Sequence, residues 1–574
     1  MKASDYIAET LESRGVTDVF ELVGGMITHM LDSFAQRTNI RVVSVHHEQA
    51  AAFAAEGYAR IRGTPGVALG TSGPGATNLL TGIGSCYFDS IPAVFITGQV
   101  NRNERKLDRK IRQLGFQETD IVAMARPITK WAVTVEDPET LPEILDRAFE
   151  TAMEGRPGPV LIDIPMDVQR AEIEPPAAIP AKPRTGPKPD EVFMQGLFRA
   201  IRGASRPLIL AGGGIRSGQA AAAFRQFVEA LNVPVVHSLL GVDLLPFDSP
   251  ARVGMIGSYG NRWANAALAE SDLLLVLGSR LDIRQTGSRT DLFGAGRTIY
   301  HVDCDAGEMN NRVTGCETLV ARVDTFLNDA IDRLRGETPG SPPQAWLDRI
   351  ATLKRQYPDT AELKDAAGIN PNVLMHTISK AAASSAAFVV DVGQHQMWAA
   401  QSLELNASQR FLTSGGMGAM GFALPAAIGA WYGAPCRCVT VIAGDGGFQL
   451  NVQELQTIAR NCLPLKMIVL NNQCHGMVRQ FQASYFESRF QSTVTGYSAP
   501  DFRKVATAYG IAAARVEAER DIHEALRQLY ADPAAPFLLE VMIDRDTNVY
   551  PKMAFGRSMD EMEPEFQSLD QEGT

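Results

Sequence analysis

Short runs of apolar residues recur along the whole chain, and segments with a helical pattern separate them. A strand that is apolar on both faces needs helices on both sides of its sheet, and this is the situation in parallel sheets. The pattern therefore predicts an α/β fold built from doubly wound parallel sheets. In the last third of the chain the predicted strands are residues 388–392, 438–442, 467–470 and 537–542.

Two proline-rich stretches, residues 175–189 and 336–343, interrupt this pattern. The first contains six prolines, too many for a helix or a central strand, and is typical of an extended linker. The segments between the stretches each have the size of a domain. We therefore predict three doubly wound domains and a C-terminal tail, at residues 1–172, 190–335, 365–552 and 553–574 respectively.

The composition excludes several classes of protein. Hydrophobic residues make up 45% and charged residues 21%, so the chain can bury ordinary cores and is not globally disordered. A net charge of −11 argues against binding a nucleic-acid backbone. No apolar run approaches the ~20 residues of a membrane span, so no membrane contact is expected. The seven scattered cysteines, an odd number, favour a reducing compartment, and we predict a cytoplasmic protein.

Polar residues follow two of the predicted buried strands in the third domain. Asp445 follows the strand at 438–442, and Asn472 follows the strand at 467–470. In open parallel sheets, ligands bind outside the carboxyl ends of the strands. Carboxylate and amide oxygens suit Mg²⁺, and glycines allow backbone N–H groups to approach a diphosphate at a helix start. The sequence therefore predicts a magnesium–diphosphate site, with glycines at Gly444, Gly446 and Gly447.

In the first domain, Glu48 stands between a predicted strand at 42–45 and an alanine-rich helix. By itself such a glutamate is usually a helix cap or a surface charge. A carboxyl group shielded from water at this place would instead be suited to sharing a proton with a ligand. The residue alone does not decide between these two interpretations.

The first and third domains contain similar glycine turns, SGPGATN at 72–78 and SGGMGAMG at 414–421. Each turn stands before a helix that is rich in small apolar residues. Glycine turns are common in α/β folds, and a duplicated domain would produce the same pattern. Both explanations stay open from the residues alone.

Taken together, these motifs resemble those of thiamine-diphosphate-dependent enzymes, and in particular the acetolactate (acetohydroxyacid) synthase catalytic-subunit family. The resemblance covers nearly the whole chain. The matching stretches, in order, are HHEQAAAFAAEGYAR, TSGPGATNLLTGI, FQETDI, GRPGPVLIDIPMDV, VGQHQMWAAQ, GGMGAMGFALPAAIGA, GDGGFQLNVQEL and LNNQCHGMVRQF.

The resemblance implies an enzyme that uses thiamine diphosphate and Mg²⁺ to decarboxylate pyruvate and join the two-carbon unit to a second 2-oxo acid. It implies a pyrimidine-binding first domain, a central domain and a diphosphate-binding third domain. The family builds each active site between two chains, so a homodimer or homotetramer is expected, and the need for a small regulatory subunit stays open. A paralogue with a different 2-oxo acid donor or acceptor is the alternative. An inactive scaffold protein is disfavoured because Glu48, Asp445 and Asn472 are all present.

The resemblance also implies roles for individual residues. Glu48 would activate the pyrimidine ring of the cofactor, and Gln117 would face the substrate. Asp445, Asn472 and the backbone carbonyl of Cys474 would bind Mg²⁺. The remaining implied cofactor contacts are Gly73 and Asn78 in the cleft, Gly393, Gln394 and His395 at the diphosphate, Met420 as a support for the bent cofactor, and Met477 beside the pyrimidine.

The sequence departs from the family at the implied substrate pocket, to which Phe116 also belongs. Family members usually carry lysine at the position of Met166 and tryptophan at the position of Phe481. The tail keeps the family's proline but differs in the segment that could form an active-site lid. These departures affect the predicted acceptor substrate and not the cofactor chemistry.

The central domain raises the question of a flavin. A predicted strand at 208–210 runs into a glycine turn that is typical of dinucleotide sites but weak by itself. The family holds a non-redox FAD in this domain, and part of its flavin loop matches here. However, Ile283 replaces a usual aspartate, and Ser258-Tyr259 replaces a usual Met-His. FAD, ADP and an empty domain are the alternatives, and the candidate residues are Gly212, Gly213, Gly214, Arg280, Asp282 and Arg284.

Overall fold

The computed structural model describes residues 1–175, 186–336, 342–435 and 437–566. Within these ranges lie three six-stranded sheets in which every neighbouring pair of strands is parallel. The predicted fold class, three doubly wound α/β units, is confirmed. Residues 176–185 of the first predicted linker, 337–341 of the second and 567–574 of the tail lie outside the described residues.

The first sheet has the strand order β2-β1-β3-β4-β6-β5. Its strands are β1 (Asp18–Leu22), β2 (Arg41–Ser44), β3 (Gly66–Gly70), β4 (Ala93–Gln99), β5 (Trp131–Thr134) and β6 (Pro159–Pro165). The helices around it are α1 (Ala3–Ser13), α2 (Thr28–Arg37), α3 (Glu48–Arg62), α4 (Pro74–Asn78), α5 (Leu80–Asp89), α6 (Ile121–Ala125), α7 (Leu141–Met153) and α8 (Met166–Arg170).

The central sheet has the order β12-β11-β10-β7-β8-β9, which is the order of dinucleotide-binding folds. Its strands are β7 (Pro207–Ala211), β8 (Val235–His237), β9 (Arg252–Met255), β10 (Leu273–Leu277), β11 (Thr298–Asp303) and β12 (Glu317–Val320). Its helices are α9 (Glu191–Gly203), α10 (Gly214–Ser217), α11 (Ala221–Leu231), α12 (Arg262–Glu270), α13 (Ile283–Thr286), α14 (Thr290–Gly294) and α15 (Val323–Gly336), and α16 (Gln344–Gln356) follows.

The third sheet has the order β14-β13-β15-β16-β18-β17. Its strands are β13 (Ala387–Val390), β14 (Arg410–Leu412), β15 (Val439–Gly444), β16 (Leu465–Asn471), β17 (Ala512–Val516) and β18 (Phe537–Met542). Its helices are α17 (Pro371–Ala381), α18 (Gln394–Ser402), α19 (Ala423–Gly433), α20 (Asp445–Leu450), α21 (Glu454–Arg460), α22 (Gly476–Tyr485), α23 (Phe502–Ala508) and α24 (Ile522–Leu529).

The first and third sheets have the same strand order when each is counted from its own first strand. A shared glycine turn alone would not require this agreement over six strands. The common order therefore favours a duplicated domain over two unrelated α/β units.

The first and third units pack through α3 and α19 and share one hydrophobic core. A Cβ atom at Gly57 would lie 2.0 Å from the Ala426 carbonyl oxygen, and one at Gly429 would lie 1.7 Å from that of Ala54. Only glycine at these two positions allows the helix backbones to approach so closely. The alanine-rich composition of both helices is thus explained by their contact with each other.

Two short helices, α20 and α21, follow β15 in place of one continuous helix. The side chain of Asn451 lies between them and donates hydrogen bonds to the Gly421 carbonyl oxygen and to Gln49 Oε1. Contacts with the turn before α19 and with the first unit therefore replace the continued helix.

The described part of the C-terminal tail packs against the central unit. It forms the antiparallel pair β19 (Lys552–Met553) and β20 (Met562–Glu563). Met553, Met559 and Met562 are buried in a core of central-unit residues, and Arg262 donates to the carbonyl oxygens of Met562 and Pro564. Among all described helices, none is long and apolar enough to cross a membrane.

Candidate active site

A cavity of about 360 Å³ opens at the carboxyl ends of the central strands of the third sheet. It lies where the strand order reverses, between β13 and β15, and this is the usual ligand position in open α/β sheets. Its walls come from the segment after β13, from α18, from the turn before α19, and from the segments after β15 and β16. It contains Gly393, Gln394, His395, Met420, Gly444, Asp445, Gly446, Gly447, Asn472, Cys474 and Met477, so the structure brings together every cofactor and metal candidate of the third domain.

Strand register places Asp445 and Asn472 side by side in this cavity. Gly444 of β15 pairs with Leu470 of β16, so the residues that follow the two strands emerge at the same edge. Asp445 is 2% exposed, and its Oδ2 accepts a hydrogen bond of 3.0 Å from the Tyr497 hydroxyl. Burial without a cationic partner raises the pKa of Asp445 to about 7. A bound cation would favour the ionised carboxylate and reverse this shift.

A cation in this cavity would find few protein ligands, and all of them would bind through oxygen atoms. Asn472 donates from Nδ2 to Gln394 Oε1 over 3.0 Å, and its Oδ1 accepts from the Cys474 backbone N–H over 3.3 Å. Over the described residues, no three His, Cys, Asp or Glu side chains cluster as a metal site. A cation at Asp445 would therefore take its other ligands from amide and carbonyl oxygens and from a bound ligand, and Mg²⁺ with a diphosphate has this requirement.

Two residues that line the cavity, His395 and Trp398, have a side-chain nitrogen atom without a partner in the described part of the chain. His395 Nε2 and Trp398 Nε1 are buried and make no hydrogen bond to the described residues. Burial lowers the pKa of His395 to about 3, so its imidazole is neutral and carries one N–H group. A Cβ atom at Gly444 would lie 2.9 Å from His395 Nδ1, and one at Gly393 would lie 2.7 Å from Cε1. Within the described ranges Trp398 Nε1 is a donor without a partner, and the glycines leave space beside the His395 ring, so the residues present fit an anionic ligand that accepts hydrogen bonds.

The first-domain candidates form a second cluster. Glu48 is the first residue of α3 and is 6% exposed, and Asn78 Nδ2 donates to its Oε2 over 2.9 Å. A Cβ atom at Gly75 would lie 3.2 Å from Glu48 Oε1. Gly73 has φ of 65°, and a Cβ atom there would lie 3.0 Å from that of Gln117. None of these residues lines the cavity at Asp445, so one described chain holds two separate clusters.

The predicted substrate-pocket residues also lie outside the cavity in the single chain. Phe116 is 79% exposed and Phe481 is 54% exposed. The Phe481 ring contacts Tyr485, with ring centroids 4.7 Å apart. Met166 begins α8 in the first unit and is half-buried.

A second cavity, of about 150 Å³, lies at the switch point of the central sheet, beside the turns after β7 and β10. Asp282 caps α13, since its Oδ1 accepts from the Arg284 backbone N–H over 2.9 Å. Gly212 stands behind the wall, where a Cβ atom would lie 2.1 Å from the Gly278 carbonyl oxygen. The glycine turn with arginine side chains fits the phosphates of a nucleotide. The candidates that line this cavity are Gly213, Gly214, Arg280, Asp282 and Arg284.

Sequence reasoning missed three residues in or beside the first cavity. Trp398 lies three residues after His395 on α18, and this helical spacing could have indicated it. His475 also lines the cavity, and its ring contacts the Tyr497 ring in a tilted arrangement with centroids 4.3 Å apart. Tyr497 lies 52 residues from Asp445 in an irregular segment, and no local pattern indicates that they meet.

The chain is similar to known proteins over almost its entire length. Residues 1–124, 194–330 and 391–541 match the N-terminal TPP binding domain, the central domain and the C-terminal TPP binding domain of thiamine pyrophosphate enzymes. Acetolactate synthase 2, chloroplastic, from Nicotiana tabacum is 38% identical over 97% of this chain and 84% of its own length. Acetolactate synthase large subunit from Pyropia yezoensis is 37% identical over 97% and 94%. Acetolactate synthase isozyme 1 large subunit from Escherichia coli (strain K12) is 37% identical over 97% of each chain.

Proposed function

Because the chain belongs to the acetolactate synthase family of thiamine pyrophosphate enzymes, we propose that it is a thiamine-diphosphate-dependent carboligase. It would join the two-carbon unit of pyruvate to a second 2-oxo acid and form an acetolactate-type 2-hydroxy-2-methyl-3-oxo acid. One observation carries the proposal. The buried carboxylate of Asp445, the amide of Asn472 and the unpartnered His395 imidazole face one cavity at the switch point of the third sheet.

Within this proposal, Asp445, Asn472 and the backbone carbonyl of Cys474 would hold Mg²⁺. The cation would complete its ligand set with diphosphate oxygens, because Asp445 is the only carboxylate among the described residues that line the cavity. His395 and the N–H groups at Gly393 and Gly446 would bind the diphosphate. Met420 and Met477 would pack against the apolar part of the cofactor.

When bound, the cofactor would supply a thiazolium ring as the electron sink for the loss of CO₂ from a 2-oxo acid. The chain's own residues orient the cofactor and handle protons. Glu48 would hold a proton at the pyrimidine ring, with Asn78 fixing one of its two oxygens. Gln117, beside Gly73, would face the substrate.

We further propose that the active site forms between two chains of a homodimer or homotetramer. The support is the separation of the Glu48 cluster from the Asp445 cavity in one chain, together with the exposed Phe116 and Phe481. This proposal includes three domains, with the limits 1–172, 190–335 and 365–552. It also includes a C-terminal tail, 553–574, that acts as a lid over the active site. Some relatives are named large subunits, so the assay should compare activity with and without an added small subunit.

For the central cavity we propose FAD as the ligand. The supporting features are the dinucleotide-type strand order, the glycine turn after β7, and the side chains of Arg280 and Arg284 in the wall. Absorbance of the purified protein near 450 nm identifies a flavin, and heat release followed by chromatography distinguishes FAD from ADP. We also propose a cytoplasmic location, because the odd number of scattered cysteines favours a reducing compartment.

The experiment that tests the function is a carboligation assay with purified protein, pyruvate, thiamine diphosphate and Mg²⁺. We expect release of CO₂ and formation of acetolactate, and we expect Asp445→Ala to abolish both and to weaken thiamine diphosphate binding. An equimolar mixture of pyruvate and 2-oxobutyrate, with both products quantified, identifies the preferred acceptor. Full activity of Asp445→Ala with unchanged Mg²⁺ dependence would contradict the assignment.

A further inference from the structure

Tyr497 contacts the carboxylate that lies at the centre of the proposed metal site. Its hydroxyl group is 3.0 Å from Asp445 Oδ2, and its ring contacts the His475 ring at an angle of 56° between the ring planes. His475 lines the same cavity. The tyrosine lies in the irregular segment between α22 and α23 and is not one of the residues that line the cavity. Tyr497 therefore contacts the Asp445 carboxylate without lining the cavity itself.

A second contact fixes the direction of the Tyr497 hydroxyl. Gln449 Nε2 donates to this hydroxyl oxygen over 3.3 Å and also donates to the Asp445 backbone carbonyl over 3.1 Å. Because the hydroxyl already accepts from Gln449, its single proton is free to point at Asp445 Oδ2. A tyrosine hydroxyl carries its proton at neutral pH, so the group can donate to Asp445 Oδ2.

We propose that Tyr497 is a positioning residue for the metal-binding carboxylate. It holds one oxygen of Asp445, so that the other oxygen faces the cation and the diphosphate. This inference rests on the proposed function, in which Asp445 binds Mg²⁺. Groups that hydrogen-bond a metal ligand fix its orientation, and their loss typically lowers metal affinity by about 10–100-fold.

The competing explanation is that Tyr497 only packs the 486–501 segment against His475. The two roles predict different results for Tyr497→Phe, which keeps the ring and removes only the oxygen. A packing role predicts unchanged Mg²⁺ affinity. A positioning role predicts weaker Mg²⁺ binding and recovery of turnover at high Mg²⁺, because the carboxylate is still present.

The test is a Mg²⁺ titration of the full-length protein at saturating thiamine diphosphate, followed by intrinsic fluorescence and by calorimetry. We expect Tyr497→Phe to raise the apparent Kd for Mg²⁺ about 10–100-fold, with kcat at saturating Mg²⁺ much less affected. Gln449→Leu, which removes the group that orients the hydroxyl, should raise the Kd by a smaller factor. The matched control is Tyr530→Phe, which removes a hydroxyl bonded to Thr440 over 2.9 Å in the same unit, outside the cavity.

An Mg²⁺ affinity of Tyr497→Phe that changes no more than that of Tyr530→Phe would overturn the inference and leave the proposed function intact. A wild-type protein whose thiamine diphosphate binding does not depend on Mg²⁺ would refute the proposed function, and the positioning role with it. Circular dichroism of each variant shows whether it is folded. If Tyr497→Phe does not fold, the Mg²⁺ affinity of Gln449→Leu is compared with that of Tyr530→Phe instead, and equal affinities would overturn the inference.

Discussion

Glu48 is held at the first turn of α3 by contacts that leave little freedom to its carboxylate. It is buried, Asn78 donates to its Oε2, and the glycine at Gly75 leaves space beside its Oε1. At a helix N-terminus a glutamate is often only a favourable charge near the dipole. The burial and the amide contact instead suit a side chain that presents one oxygen to a ligand. Substitution of Glu48 can distinguish this role from a charge that only stabilises the helix.

Glu48→Gln should bind thiamine diphosphate and fail to activate it. An amide keeps the size and the Asn78 contact but cannot share a proton with a ring nitrogen, and such proton transfer contributes about 10²–10⁴-fold. The measurement is the rate of hydrogen–deuterium exchange at C2 of the bound cofactor, by acid quench and NMR. Glu143→Gln, in the exposed first turn of α7, is the control and should exchange at the wild-type rate. An unchanged rate in Glu48→Gln would make the glutamate structural.

At the scale of elements, the contact between α3 and α19 joins the two units that carry the candidate clusters. Glu48 is the first residue of α3, and Met420 stands in the turn before α19. Asp89 of α5 strengthens the same junction, because it accepts from the backbone N–H groups of Gly415 and Gly416 and pairs with Arg60 of α3. The position of the Met420 turn thus depends on residues of the first unit.

Gly429→Ala should destabilise the protein by forcing α3 and α19 apart. The added Cβ atom would lie 1.7 Å from the Ala54 carbonyl oxygen, which is backbone and cannot rotate away. Overpacking of a core typically costs about 1–3 kcal/mol, and we expect at least the upper part of this range. The measurement is urea unfolding followed by circular dichroism. Gly203→Ala, at the end of α9 with no atom within 4 Å of the added Cβ, is the control. Equal unfolding midpoints for the two variants would contradict the steric argument.

At the scale of the whole molecule, the separation of the Glu48 cluster from the Asp445 cavity bears on how chains assemble into an active enzyme. The Asp445 cavity is lined only by residues of the third unit, and the Glu48 cluster lies in the first. A catalytic centre that needs both residues in contact with one cofactor can be completed by a second chain. Closed, symmetric dimers make two equal sites in this way.

Mixing two inactive variants tests this arrangement. Glu48→Gln and Asp445→Ala proteins are combined, dissociated and reassembled, and carboligation is measured. If each site takes Glu48 from one chain and Asp445 from the other, a mixed dimer has one site with both native residues. Random pairing makes half of the dimers mixed, so we expect about a quarter of wild-type activity. Each variant treated alone should stay inactive. An inactive mixture, with mixed dimers demonstrated by mass spectrometry, would place both residues of a site in one chain.

The sequence by itself determined the parts of this protein that arise within single strand–turn–helix units. Asp445 and Asn472 directly follow buried parallel strands, and the carboxyl ends of such strands share one edge of a sheet, so their meeting could be predicted without coordinates. Gly393 and His395, which the family resemblance implied, also line this cavity. The repeated pattern of strands and helices predicted the fold class, which is confirmed.

Only the tertiary structure decided which distant segments meet. Tyr497 reaches Asp445 from an irregular segment, and Asn451 lies between α20 and α21 and donates to the Gly421 carbonyl oxygen. The tail packs on the central unit through Met553 and its neighbours. These contacts join residues far apart in the chain and leave no periodic signal, because they depend on the path of loops and on the packing of whole units. Hydrophobic periodicity indicates which face of a helix or strand is buried. Only the tertiary structure shows which other element packs against that face.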